Sequence, residues 1–370
     1  MDNYKRIGNR VDLQQNLDQA LAWILASVEN GRGGSSAYYA PIFGWSKPYP
    51  ETTGYLISTL IDANNHTNDP HILKIAENLK DWLLTIQNKN GYWSAGLFNN
   101  KYDHSIGSVF NTAQIVSGLS DFCLLKSDSE ALNGLAAGAD WLESGINNQG
   151  LWKIGNYKGE FNPSYYSQVA WPLLQAYQVT SNENYKLAAI RCMDTLTKRI
   201  RGNHAINDCG FETGAPAFTH TIAYTLRGFL ECSRLLGDWS IYAEKIFATL
   251  EIFRQKTELS GGALPGDYDE TWKSNKSYSC LTGNCQLAIC FMIKYEHDKD
   301  LRWFNAACKL IEFVATNQRI SSYNPNINGA IAGSSPVYGK YMRFRYPNWA
   351  VKYFVDALIK REQILNELKK

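Results

Sequence analysis

The 370-residue chain is short of several things, and each shortage removes a class of protein. Charge of one sign is almost absent in the balance, since 37 Lys and Arg stand against 35 Asp and Glu for a net +2. A total so near zero gives no electrostatic footprint for a nucleic-acid backbone or an anionic membrane, and neither partner is expected. Long apolar runs are missing too. AICFMI, at 288–293, is far shorter than the roughly 20 residues that cross a bilayer, so no membrane insertion is expected. The opening MDNYKRIGNRVDLQQ has no apolar core of the kind that marks a secretory leader, which makes the cytoplasm the expected compartment. The 8 Cys and 6 His include no C-x-x-C or H-x-x-x-H spacing. Five of the cysteines (Cys123, Cys192, Cys232, Cys290, Cys308) fall on apolar faces of predicted helices, where a thiol behaves as a small hydrophobe. Free thiols are expected. Cys209, Cys280, Cys285 and His220 could approach one another as zinc ligands, but without ligand spacing no metal and no cofactor is expected. A hydrophobic fraction of 45% and a charged fraction of 19% are those of an ordinary globular protein. The surplus is aromatic: 11 Trp and 22 Tyr exceed what a helical core needs.

An Ala-rich amphipathic segment followed by a Gly-containing turn recurs along the chain. Its marker aromatics are Trp23, Trp82 and Trp141, each 59 residues after the last, then Phe253 and Phe313, 60 apart. The interval from Trp141 to Phe253 leaves room for a degenerate copy around Leu196, which makes six units. Each unit holds a second helix, beginning near 51, 109, 164, 218, 281 and 346. The first set is charged on one face, as in AENLKDW, and the second is apolar or small nearly all round. Two helices per repeat, with no strand-like alternation, predict one all-α domain over 1–370, an (α/α)6 toroid with the second set as its inner ring.

The connections are unequal. Those from inner to outer helix are short, such as VTSNEN, and those from outer to inner helix are long, such as GRGGSSAYYAPIFGWSKPYP. All six long loops therefore meet at one end, around the N-termini of the inner helices. Long loops in a compact domain are usually functional, and these carry most of the surplus aromatics. Inner-helix N-termini are also expected to aim unpaired N–H groups into the mouth.

The segment AENLKDWLLTIQNKNGYW, at 76–93, resembles the QW repeat of terpenoid-cyclase and prenyltransferase toroids, with Gln87, Gly91 and Trp93 as markers. The six-hairpin layout is similar to that of the (α/α)6 glycosidases, polysaccharide lyases and sugar epimerases. PYPETTGYL, CLTGNCQLA and SSPVYGKYMRFRYPNWAVK resemble toroid proteins associated with bacterial polysaccharide biosynthesis. These resemblances imply a carbohydrate-active enzyme, a hydrolase, lyase or epimerase acting on an oligo- or polysaccharide. Two alternatives stay open: a terpenoid-cyclase- or prenyltransferase-like enzyme, and a glycan-binding toroid without catalysis. The first alternative lacks D-x-D-D and D-D-x-x-D motifs.

Aligned inner-helix starts gather Glu51, Asn111, Tyr166, His220, Asn284 and Asn348, and the adjoining loops add Trp45, Asp103, Asp269, Trp272, Arg343, Arg345 and Tyr346. Aromatic faces with amides, carboxylates and cations suit a sugar, whose ring stacks while its hydroxyls are read. Glu51, behind Pro50, is the first choice for a working carboxylate, although an acid in a first turn also offsets the helix dipole. Hydrolysis by paired carboxylates would need a partner such as Asp103, Glu212, Asp267 or Asp269. His220 could act as acid or base, or be a core histidine bound to a carbonyl. Arg343 and Arg345 suit a carboxylate and so suggest acidic sugars, or else they pair with Asp267, Asp269 and Glu270. With a uronate, His220 or Tyr166 as base and Asn111 or an arginine as neutraliser would suit elimination or epimerisation.

Overall fold

The computed structural model describes residues 12–99, 105–320 and 322–369. Among these, twelve α-helices alternate between two rings. The outer ring is α1 (Leu13–Glu29), α3 (Pro70–Thr85), α5 (Ser129–Gly145), α7 (Glu183–Thr197), α9 (Phe247–Ser260) and α11 (Leu301–Asn317). The inner ring is α2 (Pro50–Thr67), α4 (Val109–Leu125), α6 (Ser167–Thr180), α8 (Thr219–Leu236), α10 (Leu281–Asp298) and α12 (Asn348–Leu368). Each inner helix packs on the next, and α12 packs on α2, so the six hairpins close into an (α/α)6 toroid.

The two rings start their helices differently. Five of the six outer helices, all but α9, begin at a short polar residue whose side chain accepts a first-turn N–H: Asp12, Asp69, Asp128, Asn182 and Asp300. Each such cap contributes about 1 kcal/mol. Of the inner helices only α4 has a side-chain cap, from Ser108. Loop carbonyls accept from N–H groups at or just before five of the inner-helix starts. Val109 N–H donates to Gly155 O (2.8 Å), Ser164 to Asp208 O (2.8 Å), Thr219 to Gly266 O (3.0 Å), Leu281 to Gly333 O (3.2 Å) and Asn348 to Ala37 O (2.8 Å). In each case the acceptor belongs to the next long loop around the ring, and the last bond joins the sixth helix to the first loop. These five N–H groups are bonded to protein and do not point unpaired into the mouth.

Short strands, which are too brief for an alternation to be read in sequence, stitch the same loops together. β1 (Tyr38–Ala40) lies between β2 (Gly44–Trp45) and β8 (Tyr346–Pro347), with Tyr39 opposite both Trp45 and Tyr346. β3 (Ala217–Phe218), β4 (Asp267–Tyr268) and β5 (Ser274–Asn275) form a second antiparallel sheet, and β6 (Ser279–Cys280) with β7 (Ser334–Ser335) a third.

The QW-like turn is a clasp between outer helices. Gln87 Nε2 donates to Gly91 O (2.8 Å) and Gly134 O (2.9 Å), and Trp93 Nε1 to Leu83 O (2.8 Å). One repeat later, Trp152 Nε1 makes the same bond to Leu142 O (2.9 Å). Gly329 ends the last turn at φ +83°, where a Cβ would stand 1.9 Å from Gln19 O of α1. Only glycine lets the backbone come this close with that φ.

Candidate functional site

A cavity of about 820 Å³ opens at the inner-helix N-termini. Its walls come from the N-terminal turns of α2, α4, α8 and α12, from the turn at Tyr165 and Tyr166 just before α6, and from the adjoining loops. Aromatic rings dominate, among them Tyr49, Phe110, Tyr165, Phe218, Tyr341 and Trp349. Tyr55 lines this cavity, and its ring packs against Tyr353 with centroids 5.8 Å apart. Beyond them a second cavity of about 390 Å³ is lined by charged groups including Asp62, Arg227, Glu231 and Lys352.

Glu51 is the one carboxylate among the described residues of the mouth wall. Pro50 at the start of α2 places it in the first turn, and the Tyr49 hydroxyl donates to its Oε2 at 2.6 Å. Burial among aromatic rings raises its pKa from 4.5 to about 7, with the Tyr49 hydrogen bond opposing the shift. The carboxyl is therefore poised to give or take a proton near neutrality.

His220, in the first turn of α8, is only 6% exposed. Its Nδ1 lies 2.8 Å from Gln286 Oε1, an acceptor, so Nδ1 carries the hydrogen and Nε2 holds the free lone pair. Its ring packs against Tyr224 and Tyr341, with centroids 4.4 and 5.2 Å away. Burial lowers its pKa to about 4, with the Gln286 hydrogen bond opposing, so the imidazole is neutral over the physiological range.

Two more of the sequence-derived residues share this wall. Asn111 is held by a bond from Nδ2 to Ser94 O (3.1 Å), and the Tyr166 hydroxyl donates to Asn156 Oδ1 (2.8 Å). Burial raises the Tyr166 pKa well above its ordinary value, which makes the phenol a donor and a poor proton acceptor. Asp103 lies outside the described residues.

The remaining eight stand away from the cavity lining and hold the mouth together. Trp45 Nε1 donates to Asn326 Oδ1 (3.0 Å), and its ring packs on Trp23. Asp269 closes its own turn by accepting from Thr271 and Lys273 N–H, and Trp272 Nε1 donates to Asn203 O (2.9 Å). Asn284 Nδ2 ties α10 to Gly262 O (2.7 Å), and Asn348 Nδ2 ties α12 to Ser35 and Thr52 hydroxyls. Tyr346 pairs in β8. Arg343 Nε donates to Tyr338 O (2.9 Å), and Arg345 covers the Tyr38 ring at 5.0 Å. Among the described lining residues the cation is Lys340 instead, 3.8 Å from Asp267 Oδ2. The other proposed carboxylate partners are also engaged: Glu212 pairs with Lys158, and Asp267 accepts from Tyr278. Among the described residues no group of three or more His, Cys, Asp or Glu could hold a metal ion, so Cys209, Cys280, Cys285 and His220 do not form such a set.

Sequence reasoning missed most of the aromatic wall, including Tyr49, Tyr55, Phe110, Tyr224, Tyr341 and Trp349. The signal was present in the pattern of aromatics at or just before inner-helix starts, as in PYPE, SVFN and SYYS.

No protein-family model matches the sequence, and no curated protein matches it. Solved structures do. An unsaturated glucuronyl hydrolase specific for heparin superposes with a TM-score of 0.75 at 15% identity, covering 96% of this chain and 98% of that one. The unsaturated glucuronyl hydrolase of Bacillus sp. GL1, responsible for the degradation of glycosaminoglycan, gives 0.76 at 15% identity over 95% and 97%. Cellobiose 2-epimerase of Bacillus thermoamylovorans gives 0.76 at 14% identity over 94% and 98%. At these identities the likeness establishes the six-hairpin toroid fold over the 94–96% of the chain that is covered.

Proposed function

We propose that this toroid is a carbohydrate-active enzyme that moves a proton on a sugar, with His220 as base and Glu51 as acid. The observation that carries the reading is their shared cavity: a neutral imidazole and a protonatable carboxyl sit on one aromatic wall, in complementary states between about pH 4 and 7. His220 Nε2 takes a proton from the carbon next to a carbonyl or carboxyl. The Glu51 acid then donates to the oxygen on which charge develops, and Tyr49 steadies that carboxyl. The rings of Phe110, Tyr165 and Phe218 offer faces for a pyranose, and Asn111 and Lys340 offer donors to its hydroxyls or to an acidic group. Solved structures of the same fold act on uronyl oligosaccharides and on cellobiose, which supports an oligosaccharide as substrate.

The test is incubation in D2O with cello-oligosaccharides and with unsaturated uronyl disaccharides, read by NMR and mass spectrometry. Proton abstraction puts deuterium on a ring carbon or yields an elimination product. Cleavage of the glycosidic bond without ring deuterium, lost equally in Asp103→Asn and Glu51→Gln, would replace this reading with paired-carboxylate hydrolysis.

A further inference from the structure

The net charge of +2 conceals a division of the surface. The six stretches between an outer helix and the inner helix that follows (30–49, 86–108, 146–166, 198–218, 261–280 and 318–347) hold fifteen Lys and Arg against seven Asp and Glu. That is a net +8 at the mouth end, which leaves −6 on the rest of the chain.

The same loops carry large apolar side chains without cover. Ile42 and Phe43, at the tip of the β1–β2 hairpin, are 87% and 85% exposed, and Ile106 and Ile154 on the rim are 75% and 71% exposed. Large hydrophobics exposed on the helices, among the described residues, are all leucine.

Charge and apolar surface adjoin. β1 pairs with β8, and Arg345 covers Tyr38, so the hairpin lies beside segment 338–345. There Tyr338 and Phe344 are more than half exposed, and Lys340, Arg343 and Arg345 reach solvent. Tyr341 and Met342 of that segment line the cavity, so tip, basic segment and cavity mouth share one face.

We infer that this mouth face is a peripheral docking surface for an anionic lipid bilayer, with the cavity opening toward it. The aliphatic side chains decide between a bilayer and a soluble polyanion. Ile42, Ile106 and Ile154 have neither a ring face to stack on a sugar nor a polar group to bond one. At the boundary between headgroups and acyl chains they leave water. The basic residues meet anionic headgroups, each strengthening binding about fivefold at such a surface. No helix among the described residues is long and apolar enough to cross a membrane. The inference is independent of the proton chemistry proposed for the cavity.

Sedimentation with vesicles of phosphatidylcholine alone, or with a third phosphatidylglycerol, tests it. The protein is expected to pellet with the anionic vesicles only, and to be released by high salt. The pairs Ile42→Asp with Phe43→Asp, and Arg343→Glu with Arg345→Glu, should each weaken binding by about tenfold or more. Thermal melts read by circular dichroism check that both pairs fold. Failure of the wild-type protein to pellet with anionic vesicles at low salt would overturn the inference. So would unchanged vesicle binding by the Ile42/Phe43 pair together with full competition by soluble dextran sulfate, which would assign the face to an anionic polymer.

Discussion

Glu51 and His220 are both displaced from their ordinary protonation by the same cause, burial among aromatic rings, and the displacements run toward each other. A raised carboxyl and a lowered imidazole leave both groups uncharged between about pH 4 and 7. The activity of the intact protein is accordingly expected to rise through about pH 4 and fall through about pH 7 in a kcat/KM profile. Glu51→Gln should lower kcat by roughly 10²–10⁴-fold with little change in KM. The same substitution reports on stability with a defined sign. The folded carboxyl keeps its proton to about pH 7 while the unfolded one loses it near 4.5, so folding loses free energy as pH rises through that window. Glu51→Gln should therefore be the more stable protein at pH 8, by up to about 3 kcal/mol, and nearly equal to wild type at pH 4.5. Urea unfolding at the two pH values checks this. His220 acts in the opposite direction. Below about 6.5 the unfolded chain takes up a proton that the folded ring refuses until about 4, so acid removes stability there. That Glu51, Asn111, Tyr166 and His220 line one cavity was legible because helix starts can be aligned. The roles of the arginines were not, because a charged loop residue shows its partner only in three dimensions.

At the scale of elements, the inner ring works because its helices approach closely. The Cβ of an alanine at Gly118 of α4 would stand 2.0 Å from Gly54 O of α2, and one at Gly54 would stand 2.6 Å from Ile115 Cα. Backbone cannot yield as a flexible side chain can, so Gly118→Ala is expected to destabilise by roughly 2–3 kcal/mol. Equilibrium unfolding in urea, with an unchanged slope and a lowered midpoint, is the check. Helix existence and ring assignment were readable from the 59-residue repeat and from the contrast between one-faced and all-round apolar segments. The loop-to-helix bonds were not. Gly155, Asp208, Gly266, Gly333 and Ala37 each contribute only a backbone carbonyl, which leaves no side-chain signature to read.

Closure governs the whole molecule. Beyond α12 against α2, the ends are joined by Gln318 Nε2 donating to Asn16 O (3.0 Å), Trp23 Nε1 to Asn326 O (2.8 Å), and Gly329 against α1. In an open array a lost end repeat costs only its own contacts, whereas a closed ring loses a seam on both sides. Truncation after residue 345, which removes α12, should abolish the cooperative thermal transition rather than leave a stable five-hairpin remnant. Gly329→Ala should lower the midpoint of the intact chain. Calorimetry distinguishes the two, and a truncated chain that melts cooperatively near the wild-type temperature would refute closure as the main source of stability.

Periodicity and loop length sufficed to determine six hairpins, two rings and the end that bears the mouth, because these follow from which faces must be buried and how far the chain must travel. Whether a polar side chain faces the cavity or braces a loop was decided only by the tertiary structure. Asn111, Asn284 and Asn348 occupy matching starts, and all three bond a neighbouring loop, yet Asn111 alone of the three also lines the cavity. Protonation was decided there too, since burial comes from residues distant in sequence. The same holds for charge: a total of +2 says nothing of a mouth face at +8, because a sum over sequence discards position in space.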